Sequence, residues 1–136
     1  MKKINRNEAI KLLKEYIEFE IIKLDWFKKI KPFIKAIVFY GSTAKNANKV
    51  ESDLDILIFV PLKVEKRHTK SEYFYNFKKR EINIVLRSIE RLRKISLEKN
   101  NLFEAEVFRN SEILYEKDTE VRELIKDIVS YITKEN

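Results

Sequence analysis

The chain has no cysteine, one histidine, one glycine and two prolines in 136 residues. Without cysteine there is no disulfide scaffold, no thiolate zinc site and no cysteine nucleophile. With one histidine, a histidine-rich metal centre is also absent, so a metal site has to rest mainly on carboxylates. No apolar run approaches the roughly 18 residues that a membrane span needs. The N-terminal stretch MKKINRNEAIKLLKEY has no apolar segment followed by small residues, so no signal peptide is expected and the cytoplasm is the expected location. Average usage near 7% predicts roughly nine glycines in a chain of this length. The one that is kept is Gly41.

Hydrophobic residues make up 44% of the chain and charged residues 38%. That apolar share excludes a disordered chain, and the length suits one domain over residues 1–136 with a single core. The net charge of +7 favours anionic partners such as nucleotides, nucleic acid or an acidic protein. A lysine-rich genome or a thermophilic composition accounts for the charge equally well.

Ile10, Leu13, Ile17, Ile21, Leu24 and Phe27 recur at helical spacing and predict one amphipathic helix over 7–30, capped by Asn7 and ended by Pro32. The motif core spans 33–87. Residues 33–40, FIKAIVFY, read as a buried strand that runs into Gly41, and 43–48 as a brief helical turn. Residues 53–60, DLDILIFV, read as a central strand, apolar on both faces after its acidic start and closed by Pro61. The 63–79 stretch fits a strand or a helix, and 81–87 a third strand. Helices fill most of 88–134: one at 89–98 capped by Ser88, a short one at 102–109, and a last one after Asp118. A short strand at 111–116 interrupts them. The class is α/β (α+β): a small mixed sheet with helices packed against it.

Gly41 follows a buried strand and precedes a turn, where its missing Cβ lets the backbone bend and a ligand approach. Ser42 and Thr43 add hydroxyls and Lys45 adds a positive charge, so Gly41, Ser42, Thr43 and Lys45 form a candidate phosphate cradle. A turn that needs positive φ explains the glycine as well. In Asp53-Leu54-Asp55 the two carboxylates project from one side of a strand, where they repel unless a divalent cation such as Mg²⁺ neutralises them. A polar strand start with turn-capping aspartates is the plainer alternative. Ten residues separate Ser42 from Asp53. That is room for a turn and a reversal that sets the cradle beside the carboxylates, as phosphoryl or nucleotidyl transfer requires.

Gly41-Ser42, ten residues, then Asp53-x-Asp55 resembles the Gly-Ser-x10-Asp-x-Asp motif of the minimal nucleotidyltransferases. These belong to the DNA polymerase beta nucleotidyltransferase superfamily. The similarity runs over about residues 30–117, through Ser52-Asp53-Leu54-Asp55-Ile56-Leu57-Ile58 to the segment Phe103–Tyr115. It implies a small mixed sheet with helices on one side. It also implies a nucleotide triphosphate held at Gly41 and Ser42, and two Mg²⁺ ions on Asp53 and Asp55. The implied reaction moves a nucleoside monophosphate, expected to be AMP from ATP, onto an acceptor hydroxyl. Small members of the family include antitoxins paired with a helical HEPN toxin, so a helical partner is expected, with a homo-oligomer as the alternative.

One position departs from the family pattern. In Ile82-Asn83-Ile84-Val85 an asparagine stands where the family carries a third carboxylate. An amide oxygen can ligate a metal, but it carries no charge and takes no proton. Glu81 lies on the same strand face and is the candidate substitute. A catalytically degenerate module that binds a nucleotide or a partner is therefore the second expectation. Residues 63–80 carry seven basic against two acidic side chains, interleaved with Tyr73, Phe74, Tyr75 and Phe77. They offer either a nucleic-acid surface or strand core beside a solvated face. His68 has no visible partner for base catalysis and reads as a surface residue.

Overall fold

The computed structural model describes residues 3–41, 43–44, 53–68, 70 and 72–135. Helix α1 spans Arg6–Phe19 and is capped by Asn5 rather than Asn7. Asn5 Oδ1 accepts from the Glu8 amide at 2.8 Å, and Glu8 returns a carboxylate oxygen to the Asn5 amide at 3.2 Å. The single helix expected over 7–30 is broken. A 3₁₀ turn at Ile21–Lys23 and an extended Leu24 separate α1 from α2, Asp25–Ile30. A straight helix over 7–30 would run about 36 Å, past the roughly 23 Å of a seven-residue strand. The bend brings Ile21, Phe27 and Ile30 into the core together. Pro32 lies in a second 3₁₀ turn, Lys31–Phe33.

Five strands form one mixed sheet in the order β3-β4-β2-β1-β5. They are β1, Ala36–Tyr40; β2, Leu54–Val60; β3, Glu72–Phe77; β4, Arg80–Ser88; and β5, Glu112–Glu116. β2 is central, antiparallel to β1 and parallel to β4. The ambiguous 63–79 stretch divides into helix α3, Leu62–Arg67, and β3. β3 turns into β4 at Lys78 and Lys79, both at positive φ (49° and 65°). Of its four aromatics, Tyr73, Tyr75 and Phe77 pack against the core, and Phe74 is exposed. Trp26 stacks on Tyr73 and donates its indole N–H to the Tyr75 hydroxyl at 2.7 Å.

Helices cover both faces of the sheet, not one. Ile37, Phe39, Leu54, Ile56, Ile58, Ile82 and Ile84 face Leu13, Tyr16, Ile21, Phe27 and Ile30 of the N-terminal helical layer. The opposite face, with Ala36, Val38, Leu57, Phe59 and Val85, packs on three further helices. These are α4, Ile89–Glu98; α5, Leu102–Glu106; and α6, Glu120–Glu135. The cause is the alternation within β1 and β2, which is apolar in both registers and leaves no face for solvent. Ser88 caps α4 as expected, its hydroxyl accepting from the Arg91 amide at 3.1 Å. Asp118 accepts from the Glu120 amide at the start of α6. Among the described residues no helix is long and apolar enough to cross a membrane.

Candidate active site

The strand register lines up one row across four strands. Tyr40 of β1 pairs with Asp55 of β2, Asp55 with Asn83 of β4, and Asn83 with Phe74 of β3. Asp53 and Glu81 lie two residues before Asp55 and Asn83, so their side chains share that face. Leu57 and Phe59, further along β2 on this face, pack on α4–α6. The carboxylates thus sit at the edge of a helix-covered surface, at the strand end where the chain leaves β1.

Gly41 follows Tyr40 with φ +90°. A Cβ here would run into the carboxylate of Asp55. The glycine meets two demands at once: a left-handed backbone and room for the acidic side chain of the neighbouring strand. Thr43 is fully buried, with its hydroxyl 3.5 Å from the backbone oxygen of Asp53, and ties the turn to the start of β2. Arg6 holds the same turn from α1, its Nε donating to the Ala44 carbonyl at 3.0 Å. Ser42 and Lys45, the other two residues of the expected cradle, lie outside the described residues, as does most of the expected turn at 43–48.

Asn83 joins the two carboxylates. Its amide nitrogen donates to Asp53 Oδ2 at 3.0 Å and to Asp55 Oδ1 at 3.2 Å. The amide oxygen of the same side chain is buried without a hydrogen-bond partner. The Asp55 carboxyl titrates above the usual range. Burial is the largest cause, the Asn83 hydrogen bond opposes it, and the charge of Asp53 adds to it. Glu81 is exposed and also raised, first by a hydrogen bond shared with Asp53 and then by that residue's charge. Among the described residues no three histidine, cysteine, aspartate or glutamate side chains are placed to hold one metal ion. The chemistry of the donors still fits a hard divalent cation: two adjacent carboxylates carry two charges, and an orphaned amide oxygen stands beside them. The same set is one charge short of the three-carboxylate pattern.

A cavity of about 320 Å³ opens on the same sheet face; Asp53, Asp55 and Asn83 do not line it, but Tyr40, the strand partner of Asp55, does. Tyr40, Leu57, Phe59 and Arg87 line it from the sheet, and Leu92, Phe103 and Phe108 from the helices. The Tyr40 hydroxyl is pushed up to about 12, mainly by burial and then by Asp55, with Arg87 opposing. Sequence reasoning passed over Tyr40 and Arg87. The signal for Arg87 was the alternation Glu81, Asn83, Val85, Arg87, which puts all four on one face of β4.

Residues 21–120 match the family model described as polymerase beta, nucleotidyltransferase. The chain belongs to that nucleotidyltransferase family. Among solved structures it is similar to a nucleotidyltransferase-like protein from Exiguobacterium sibiricum 255-15, with a TM-score of 0.60 and 11% identity. The alignment covers 85% of this chain and 38% of that one, so the likeness concerns the fold of one part of a longer protein. No curated protein matches the sequence.

Proposed function

We propose that the protein is a Mg²⁺-dependent nucleotidyltransferase that moves a nucleoside monophosphate, AMP from ATP in the first instance, onto an acceptor hydroxyl. The observation that carries this reading is the placement of Asp55 against the positive-φ turn at Gly41, with Asp53 joined to it through Asn83. Asp53 and Asp55 would hold the nucleotide-bound ion, and Asn83 could add its oxygen as a neutral third ligand only by turning its amide and giving up its hydrogen bonds to the pair. Bound Mg²⁺ neutralises the phosphate oxygens and favours departure of pyrophosphate. The Gly41 turn lets the phosphates approach the backbone, with Ser42 and Lys45 proposed as the side chains of the cradle; Thr43, expected to add a hydroxyl, is instead buried and spends it on the Asp53 carbonyl. In the transfer the acceptor oxygen bonds to the α-phosphorus and the α–β bridging P–O bond breaks. The electron pair leaves with pyrophosphate and the hydroxyl proton passes to solvent. Glu81, exposed beside Asp53, is a further carboxyl that in its ionised form can relay that proton to solvent.

The family resemblance supports a second protein as acceptor, a helical HEPN-like toxin in the cytoplasm, with this chain as its antitoxin. Asn83 favours one alternative, a module that binds nucleotide or partner without turnover. An amide that bridges two carboxylates does structural work that a third carboxylate could not. Incubation with each α-labelled NTP, Mg²⁺ and candidate acceptors separates the two. Metal-dependent transfer of label supports the enzyme. Nucleotide binding without transfer to any acceptor supports the module.

A further inference from the structure

Arg6, Arg91, Arg93, Arg109 and Arg122 each pair with a glutamate. Arg87 does not. Among the described residues no carboxylate lies within ion-pair distance of it, and its one hydrogen bond goes from Nη1 to the Leu86 carbonyl at 3.2 Å. The nearest acid on the helical side, Glu104, is already engaged by Arg91 and by the Asn101 amide. Arg87 therefore presents to the cavity a guanidinium with no ion-pair partner among the described residues, with Glu104 near enough to feel its charge. The floor of that cavity is apolar, with Phe59 and Phe108 in a tilted ring contact at 6.3 Å. On the rim Phe103 is 88% exposed. The volume sits at the low end of small-molecule pockets, which run from about 300 to 1,000 Å³.

Arg87 is four residues beyond Asn83 on the same face of β4, about 13 Å along the strand. The Arg87 backbone is thus set back from the Asp53–Asp55 pair, although its charge still reaches the Tyr40 hydroxyl beside Asp55, and an anion bound there is assigned to a second molecule by the competition arm below. We propose that this cavity is the acceptor pocket, and that the acceptor carries a flat or apolar body and an anionic group, phosphate or carboxylate, bound by Arg87. This rests on the nucleotidyltransferase reading and names a small anionic substrate class in place of the protein acceptor. A polycationic acceptor is excluded, because Arg87 and Arg91 would repel it in a pocket whose one carboxylate is already paired.

The test is calorimetric titration of the full chain with AMP in EDTA, where the aspartate pair has no metal with which to hold a phosphate. Wild type is expected to bind AMP, and to bind neutral adenosine at least tenfold more weakly. Arg87→Gln should weaken AMP binding at least tenfold and leave Mg·ATP affinity within twofold, which also reports that the variant is folded. Arg87→Lys should retain part of the AMP affinity. AMP and Mg·ATP should bind together without competing. Absence of AMP binding to wild type, equal affinity for AMP and adenosine, or no effect of Arg87→Gln would overturn the anionic pocket. Displacement of AMP by Mg·ATP would overturn the acceptor assignment and give the cavity to the donor's base. Wild type that binds AMP but never Mg·ATP would support the pocket and remove the donor site instead.

Discussion

Asn83 stands directly opposite Asp55 in the parallel pairing of β2 with β4, and its amide nitrogen donates to that carboxylate at 3.2 Å. The same nitrogen reaches Asp53 at 3.0 Å. One neutral side chain thus holds together two acids that would otherwise repel each other. This gives the departure from the family pattern a physical role: the amide keeps the pair assembled without metal.

Asn83→Asp should reverse that role. It removes the shared donor and adds a third negative charge, so the metal-free protein should lose about 1–3 kcal/mol. Mg²⁺ should return most of the loss, because the cation takes over the bridging. Urea titrations with and without Mg²⁺ measure both effects, and label transfer should rise more than NTP affinity. Equal metal-free stability of the two proteins would remove the bridging role.

Asp55 gives a pH dependence with a definite sign. Its folded-state titration lies above the ordinary aspartate value, chiefly through burial. The native state then binds the proton more tightly than the unfolded chain. In metal-free buffer the contribution of Asp55 is most favourable below the unfolded value near 4, and it falls as pH rises through the folded value, against the opposite trend of Glu104, Asp118 and Glu120. The penalty stays at neutral pH. Asp55→Asn keeps an acceptor for Asn83 and removes the charge. It should raise metal-free stability at pH 7 by up to about 1 kcal/mol, after allowance for solvent screening. Chemical denaturation from pH 4 to 7 in a chelator should show the variant's stability advantage over wild type growing with pH; a difference that does not change with pH would contradict the assignment.

Gly41→Ala tests the turn. The backbone at φ +90° resists any Cβ, and this one would meet the Asp55 carboxylate. Strain of about 1–3 kcal/mol is expected, with at least a tenfold loss of Mg·ATP affinity as Asp55 is displaced. Normal nucleotide affinity in the folded variant would return Gly41 to a purely conformational role.

Glu81→Gln separates a metal ligand from a bystander. Glu81 is exposed and touches Asp53, but among the described residues no three acids are placed to hold one metal ion. The variant should stay within about 0.5 kcal/mol of wild type in stability and within twofold in Mg·ATP affinity. A fall in transfer at unchanged affinity would give Glu81 the proton-accepting role, whereas a large loss of Mg·ATP binding would make it a ligand.

Where the pattern was local, the sequence could be read. β1, β2 and β4 are runs of β-branched and aromatic residues, and Ser88 before Ile89 announces a helix start. The 7–30 helix misled because its apolar spacing continues through Leu24, although the sheet is too short to support a straight rod. The β3–β4 hairpin was hidden because lysines occupy the positive-φ positions that Asn-Gly normally marks. The Asp53–Asp55 pair was legible from period-two spacing alone. The Asn83 bridge and the Arg87 cavity were not, since both depend on which strand lies beside β2. That β4 pairs with it in parallel is a long-range fact.

The most direct test of the metal-dependent nucleotide site is calorimetric titration of Mg·ATP into wild type and into the Asp53→Asn/Asp55→Asn double variant. Wild type should bind Mg·ATP and lose that binding in EDTA. The double variant should fold, be at least as stable as wild type without metal, and show no metal-dependent binding. Mg·ATP affinity unchanged in the double variant would contradict the assignment of Asp53 and Asp55 as the residues that hold the nucleotide's metal ion.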